Sequence, residues 1–137
     1  MNAQNENGYM LLYRSDEWYN KLPHAELRKL MNQNKAWIES LTAQGKAKPG
    51  RALERRGAIV SGSNGKIITD GPFAESKEAI AGYLVLEVET MDEAIRIART
   101  SPGLAYGGSI EVRPLAHECP LDIRERELVR EEQLAAV

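Results

Sequence analysis

The 137-residue sequence predicts an α+β fold in which two helices cover one face of an antiparallel sheet. Short apolar or alternating segments typical of strands lie near the start, in the middle and towards the end of the chain. Two segments with apolar residues at steps of three and four, typical of amphipathic helices, lie between them. The predicted order is strand, helix, hairpin, strand, helix, strand.

The first strand is the compact apolar run from Tyr9 to Tyr13, and the first helix begins near Pro23 and ends at Gly45. The apolar stripe of that helix consists of Leu27, Leu30, Met31, Trp37, Ile38 and Leu41. Asn34 lies within the same stripe, although a buried amide without partners costs about 1 to 3 kcal/mol. We therefore expect the Asn34 amide either to be hydrogen bonded inside the fold or to face a polar cavity.

A β-hairpin is predicted for residues 58–69. Two apolar runs, Ala58 to Val60 and Lys66 to Thr69, flank the dipeptide Asn64–Gly65, which is typical of a tight hairpin turn. The preceding residues 46–57 are rich in glycine, proline and charge, so we interpret them as a connection.

The second helix has the clearest start signal in the chain. Thr90 and Glu93 have the spacing of a capping box, and the apolar stripe of the helix runs from Met91 to Ala98. A last strand is predicted from Ser109 to Arg113, where apolar and charged residues alternate.

The strand predicted for residues 82–89 has two contrasting faces, because Leu84, Leu86 and Val88 alternate with more polar positions. The order of elements is that of a ferredoxin-like β-α-β-β-α-β subunit, so one sheet face is covered by both helices. The other face would carry Tyr83, Val85, Glu87, Glu111 and Arg113. Such a face is too mixed for a dry core and too apolar for bulk water. We therefore predict a homodimer in which this face packs on its copy about a twofold axis and encloses a cavity.

Composition and length predict one soluble domain, with 42% hydrophobic and 28% charged residues. We divide the chain into a disordered N-terminus (residues 1–7), a domain (residues 8–115) and a C-terminal extension (residues 116–137) that forms a peripheral helix or a frayed tail.

The same composition argues against several classes of partner. The net charge of −2 provides no large basic field, so nucleic acid is not an expected partner. The single cysteine, Cys119, excludes an intrachain disulfide, and no histidine or cysteine cluster has the spacing of metal ligands. No apolar run approaches the roughly 18 residues of a membrane span. We expect a cytoplasmic protein that uses neither a metal nor another cofactor.

Asp70 is the first candidate catalytic residue. It follows an apolar strand and precedes Gly71–Pro72, whose restricted backbone sets the direction in which Asp70 leaves the strand. The carboxylate serves either as an ordinary turn former or as a reactive group.

The remaining candidates divide in the same way between packing and chemistry. His24, the second catalytic candidate, lies in the first turn of a helix, where the dipole favours a neutral imidazole, or is a simple surface residue. Arg113 either binds an anionic ligand or pairs with Glu111. Tyr13 and Tyr83 either pack or offer their hydroxyls to a ligand. With Asn34, these four residues form the predicted ligand-binding set.

Several motifs together resemble the YCII-related, or DGPF-domain, family of small bacterial proteins. They are the segments Tyr9 to Leu12, Asp70 to Glu78 with Gly82–Tyr83, Met91 to Ala94, and Glu111 to Leu115. The resemblance covers residues 8–115 and implies a dimeric α+β barrel of ferredoxin-like subunits in a bacterial cytoplasm.

The resemblance says less about chemistry. One branch of the family is linked to dehydrochlorination of a chlorinated aromatic, with a histidine and aspartate dyad as acid and base. His24 loosely matches that histidine, but Ser101 stands where the aspartate is expected, so the dyad is incomplete.

Three functions remain open. The first is a cofactor-free enzyme that uses Asp70, with His24 or Arg113, for proton transfer or elimination on a small aromatic or anionic molecule in the dimer cavity. The second is a binding or sensor module that uses the same cavity without chemistry. The third is a structural dimer in which the tail from Leu121 makes the functional contact.

Overall fold

A computed structural model of the chain describes residues 8–14, 17–70 and 80–136. Within those ranges its elements are β1 (Tyr9–Arg14), α1 (His24–Ala43), β2 (Ala47–Ala52), β3 (Ala58–Ser61), β4 (Ile67–Asp70), β5 (Ile80–Leu86), α2 (Met91–Arg99), β6 (Ser109–Pro114) and α3 (Pro120–Ala135). Two 3-10 turns, Trp18–Lys21 and Pro102–Tyr106, precede α1 and follow α2. Residues 1–7, predicted to be disordered, and the motif residues 71–79 lie outside the described part of the chain.

Four strands form an antiparallel sheet in the order β2-β5-β1-β6. This is the strand order of a ferredoxin-like subunit, since the first and third of its four sheet strands are central and the second and fourth are edges. The α+β class and the antiparallel sheet predicted from the sequence are confirmed. The dimeric barrel stays a prediction.

The interpretation of residues 46–57 as a connection is wrong, because Ala47–Ala52 form the edge strand β2. Pro49 has no N–H to donate, which is tolerated at an edge, and the register of β2 with β5 shifts between Lys48 and Arg51. Gly50 lies within this irregularity, where an added Cβ would come 1.7 Å from the carbonyl oxygen of Tyr83. The strand therefore depends on a close backbone approach that only glycine permits.

The predicted hairpin does form, but as a separate two-stranded sheet of β3 and β4. Its pairing runs from Ala58 opposite Asp70 to Ser61 opposite Ile67. The hairpin is inserted between β2 and β5 and contributes no strand to the main sheet.

The core lies between the main sheet and the two helices α1 and α2. Leu11 on β1 and Leu86 on β5 are fully buried, and Leu84 is 2% exposed. Ala94, Ile97 and Ala98 of α2 pack into the same cluster. The alternation and the helical stripe read from the sequence thus meet on one sheet face.

The opposite sheet face is open. Alternation from the buried residues places Met10 and Leu12 of β1 beside Tyr83 and Val85 of β5 on this face, all half-buried. Ion pairs flank them, including one between Lys48 and Glu87 at 2.9 Å. We call these four apolar residues, with the charged groups around them, the open face.

Two elements project from the body of the domain. The hairpin β3–β4 exposes four large apolar side chains by more than half, namely Ile59, Val60, Ile67 and Ile68. Every described residue of α3 is exposed. Among the described helices, none is long and apolar enough to cross a membrane.

Candidate functional site

A cavity of about 480 Å³ lies between α1 and the helix-covered face of the sheet. One wall is formed by residues of α1 between Leu30 and Ile38, and the other by Pro49–Ala52 of β2 and Ala81–Leu84 of β5. Tyr13 of β1 and residues of both 3-10 turns close one end. The cavity is therefore built from five elements of a single chain.

Small residues create the space. Gly82 lies opposite Tyr13 in the β1–β5 pairing and adds no side chain to the helix-covered face. Gly50 and Gly103 line the cavity as well. Because these positions have no side chain beyond Cα, the helix and the sheet leave a gap between them where the neighbouring core is filled.

Tyr13 supplies the most unusual group in the cavity wall. Its hydroxyl is buried and has no hydrogen-bond partner within the part of the chain that the structure describes. Burial raises the pKa of this hydroxyl to about 12. Because the group stays protonated over the physiological range, it is available as a hydrogen-bond donor at any pH near neutrality.

A smaller chamber of about 130 Å³ adjoins the main cavity and shares Tyr13, Trp18 and Ser101 with it. Ser101 is only 6% exposed, so the position at which a catalytic aspartate would be expected is buried here. The rings of Trp18 and Tyr19 pack edge to face, with centroids 5.8 Å apart. Aromatic surface and a buried hydroxyl group thus meet where the two chambers join.

Two further polar groups reach the main cavity. Asn34 of α1 is half-buried, and its amide has no hydrogen bond to another described residue. Arg51 of β2 is exposed and forms no ion pair with any described residue. The cavity therefore combines mostly apolar walls with a buried donor, an amide and a cation nearer to solvent.

The sheet separates the residues predicted to bind a ligand into two groups. Tyr13 and Asn34 line the cavity, and so does Tyr83, although alternation directs its side chain to the open face. Glu111 and Arg113 lie on the open face. Their ligand-binding roles stay predictions.

Glu111 holds two arginines on the open face. Its Oε1 accepts from Arg14 at 2.5 Å and its Oε2 from Arg113 at 3.2 Å. The alternative in which Arg113 pairs with Glu111 is thus the arrangement observed in the single chain.

The two predicted catalytic residues are not part of the cavity wall as described. His24 is the first residue of α1, is exposed and does not line the cavity. Asp70 is the last residue of β4, and neither its side chain nor residues 71–79 belong to the described structure. Catalytic roles for both stay predictions.

Sequence reasoning missed that a cavity forms inside one chain. Asn34 within an apolar helical stripe was the only signal of it. Arg51 was taken for part of a solvated edge, and nothing in the sequence indicated that Trp18 or Tyr19 would contact Tyr13 across the same space.

Comparison with known proteins supplies the family. A model of the YCII-related domain matches residues 9–118. The chain belongs to the YCII-related domain family. The resemblance noted in the sequence is thereby confirmed.

Among curated proteins, an uncharacterised protein of Rhizobium meliloti (strain 1021) is 47% identical to this chain over 51 residues. The match covers 36% of this chain and 41% of that protein, so it spans less than half the length of the relative.

Among solved structures, 5-chloro-2-hydroxyhydroquinone dehydrochlorinase (TftG) from Burkholderia phenoliruptrix AC1100, in complex with 2,5-dihydroxybenzoquinone, matches with a TM-score of 0.42 and 21% identity. The match covers 77% of this chain and 90% of that one. At this identity, the activity of the neighbour does not transfer to this YCII-related protein.

Proposed function

We propose that this YCII-related protein binds a small aromatic molecule in the cavity between α1 and the sheet, with the Tyr13 hydroxyl donating a hydrogen bond to it. The observation that carries the proposal is a buried hydroxyl without a partner at the wall of a 480 Å³ cavity. A buried polar group left unsatisfied costs about 1 to 3 kcal/mol, which a ligand acceptor would recover.

The size and chemistry of the cavity support an aromatic ligand. Its volume falls within the roughly 300 to 1,000 Å³ typical of small-molecule sites. Trp18 and Tyr19 offer aromatic surface, while Arg51 offers positive charge nearer to solvent. A phenol, a quinone or an aromatic carboxylate presents both a flat apolar ring and an acceptor oxygen.

Acid–base catalysis on such a ligand is the second candidate. A donor that stays protonated stabilises a negative charge that develops on a ligand oxygen during proton abstraction or elimination. The elevated pKa of Tyr13 favours this role. Asp70, with His24 or Arg113, remains the proposed source of the base.

A homodimer through the open face completes the proposal. Met10, Leu12, Tyr83 and Val85 form a half-buried apolar patch between ion pairs, which suits a contact with a second copy better than free solvent. This contact would enclose Glu111 and Arg113 between two sheets, separately from the cavity beside Tyr13.

Ligand binding is tested with a thermal-shift screen of phenols, aromatic carboxylates and apolar rings of the same size. A ligand at one hundred times its Kd stabilises the folded state by about 2.7 kcal/mol. We expect compounds with an acceptor oxygen to bind, and Tyr13→Phe to raise their Kd about tenfold because one hydrogen bond is lost.

Tyr9→Phe is the matched control, since Tyr9 lies on the same strand and face but does not line the cavity. If both variants bind like the original protein, the ligand site is not at Tyr13. Ligands identified in this way are then tested for turnover with the original protein and with Asp70→Asn. Binding without turnover would favour the sensor function over the enzyme.

A further inference from the structure

The hairpin β3–β4 carries an uncovered apolar surface on each of its faces. Pairing places Val60 and Ile68 together on one face, where they are 63% and 61% exposed. Ile59 and Ile67 alternate onto the other face. A two-stranded hairpin is marginal in water by itself, so this element gains most from a partner.

Helix α3 also lacks a partner within the described chain. Leu121, Glu125, Leu128 and Glu132 follow one another at steps of four and three residues, so they form one stripe along the helix. Leu121 is 78% exposed and Leu128 is 41% exposed. Isolated helices of this length are marginal in water, and packing of an apolar stripe normally stabilises them.

The two elements leave the sheet at opposite edges. The hairpin follows the edge strand β2, and α3 follows the edge strand β6. Three strand spacings of about 4.8 Å separate these edges, and the sheet lies between them. Hairpin and helix of one chain are thus placed to contact another molecule rather than each other.

Charge is complementary between the two surfaces. Lys66 lies on the Val60 and Ile68 face of the hairpin by alternation and forms no ion pair with a described residue. Glu125 and Glu132, within the α3 stripe, likewise form none among the described residues. Each surface therefore combines two large apolar side chains with unpaired charge of opposite sign.

We propose that α3 of each protomer packs against the Val60 and Ile68 face of the partner's hairpin. This contact rests on the open-face dimer proposed above. When two sheets face each other across a twofold axis parallel to their strands, the β2 edge of one lies over the β6 edge of the other. Both unpartnered elements then meet, twice per dimer, as an isologous interface requires.

The main test measures the dimer dissociation constant of full-length variants by analytical ultracentrifugation. The double variant Leu121→Asp/Leu128→Asp is expected to raise the Kd at least tenfold. Its control, Ile123→Asp/Leu134→Asp, alters exposed apolar residues on the opposite side of the same helix and is expected to leave the Kd unchanged. An equal effect of both pairs, or no effect of either, would overturn the proposed contact.

Charge reversal provides a test that does not depend on the stability of α3. Lys66→Glu is expected to raise the Kd about tenfold, and addition of Glu125→Lys and Glu132→Lys to the same chain is expected to restore it. Failure of the triple variant to recover would contradict pairing between these surfaces.

Cross-linking then locates the contact between chains. In a Cys119→Ser background, one sample carries Val60→Cys and the other Leu128→Cys, and a bifunctional thiol reagent is added to each and to their mixture. Cross-linked dimers containing one chain of each kind, identified by mass spectrometry, would support the contact. Their absence from the mixture would overturn it.

The dimer and the contact can fail separately. A monomer at all concentrations would remove both. A dimer that Leu12→Arg dissociates, but that neither the α3 nor the Lys66 variants weaken, would keep the open-face interface and exclude the contact between α3 and the hairpin.

Discussion

Tyr13 joins local sequence to long-range packing at the level of a single residue. The apolar run that contains it specifies a strand, and alternation turns its ring to the helix-covered face. There, Gly82 leaves room beside the ring, so the hydroxyl is removed from water without gaining a partner among the described residues. Its function as a donor depends on that combination.

Tyr13→Phe is expected to have opposite effects on stability and on ligand binding. Without ligand, removal of an unsatisfied buried hydroxyl should raise the free energy of unfolding by about 1 kcal/mol. Urea denaturation of both proteins measures this difference at neutral pH. A loss of stability instead would mean that the hydroxyl is satisfied in solution.

The same residue predicts a pH dependence. The Tyr13 pKa is about 12 in the folded protein and 10.0 in an ordinary tyrosine. Between these values the unfolded chain has lost the proton that the native state still holds, so stability falls as pH rises from 10 to 12. The fall should be shallower in Tyr13→Phe, as measured by urea denaturation across that range. Parallel curves for the two proteins would contradict the assignment.

Strand β2 shows, at the level of an element, how tertiary contact overrides local signals. Its sequence contains Pro49 and Gly50, both unfavourable in a strand interior, yet it pairs with β5 along the sheet edge. The edge position accepts the proline, and the close approach to Tyr83 requires the glycine. Such a strand is specified by its neighbour more than by its own composition.

Gly50→Ala is therefore expected to destabilise the protein by about 1 to 3 kcal/mol, the usual cost of forcing extra atoms into a packed site. The added Cβ would lie 1.7 Å from a backbone oxygen, which cannot turn away as a flexible side chain can. Gly103→Ala is the control, because its added Cβ would meet nothing closer than 3.5 Å. Chemical denaturation compares the two, and equal stabilities would show that β2 shifts without cost.

At the scale of the whole molecule, the fold has one finished side and one unfinished side. The helices bury one sheet face, while the open face and the two projecting elements keep large apolar side chains in contact with solvent. Monomeric proteins rarely expose so much contiguous apolar surface without a function. Assembly and ligand binding are thus assigned to opposite faces of the same sheet.

Leu12→Arg tests this division of roles. Leu12 is half-buried on the open face between Tyr83 and Glu111, so a buried, unpaired arginine there should disrupt a sheet-to-sheet contact. We expect the dimer Kd to rise at least a hundredfold in sedimentation experiments. Aromatic ligands should still bind the resulting monomer, because the cavity belongs to one chain; loss of binding would place the ligand between subunits.

The sequence by itself determined the elements whose periodicity is strong. The first helix was predicted between Pro23 and Gly45 and spans His24–Ala43, and the start of α2 at Thr90 is confirmed by a hydrogen bond from the Glu93 N–H to the Thr90 hydroxyl at 3.1 Å. The family was equally readable, since its motifs are short and contiguous. These features are local, because repeats of two and 3.6 residues and capping groups act within a few positions of one another.

Only the tertiary structure decided which segments pair and where space remains. It made residues 47–52 a strand, set the hairpin apart from the main sheet, and opened a cavity between Asn34 of α1 and Tyr13 of β1. The physical reason is that edge pairing, close backbone approach and empty volume arise between elements distant in sequence. The unpartnered Tyr13 hydroxyl, on which the proposed function depends, exists only because several such elements converge around it.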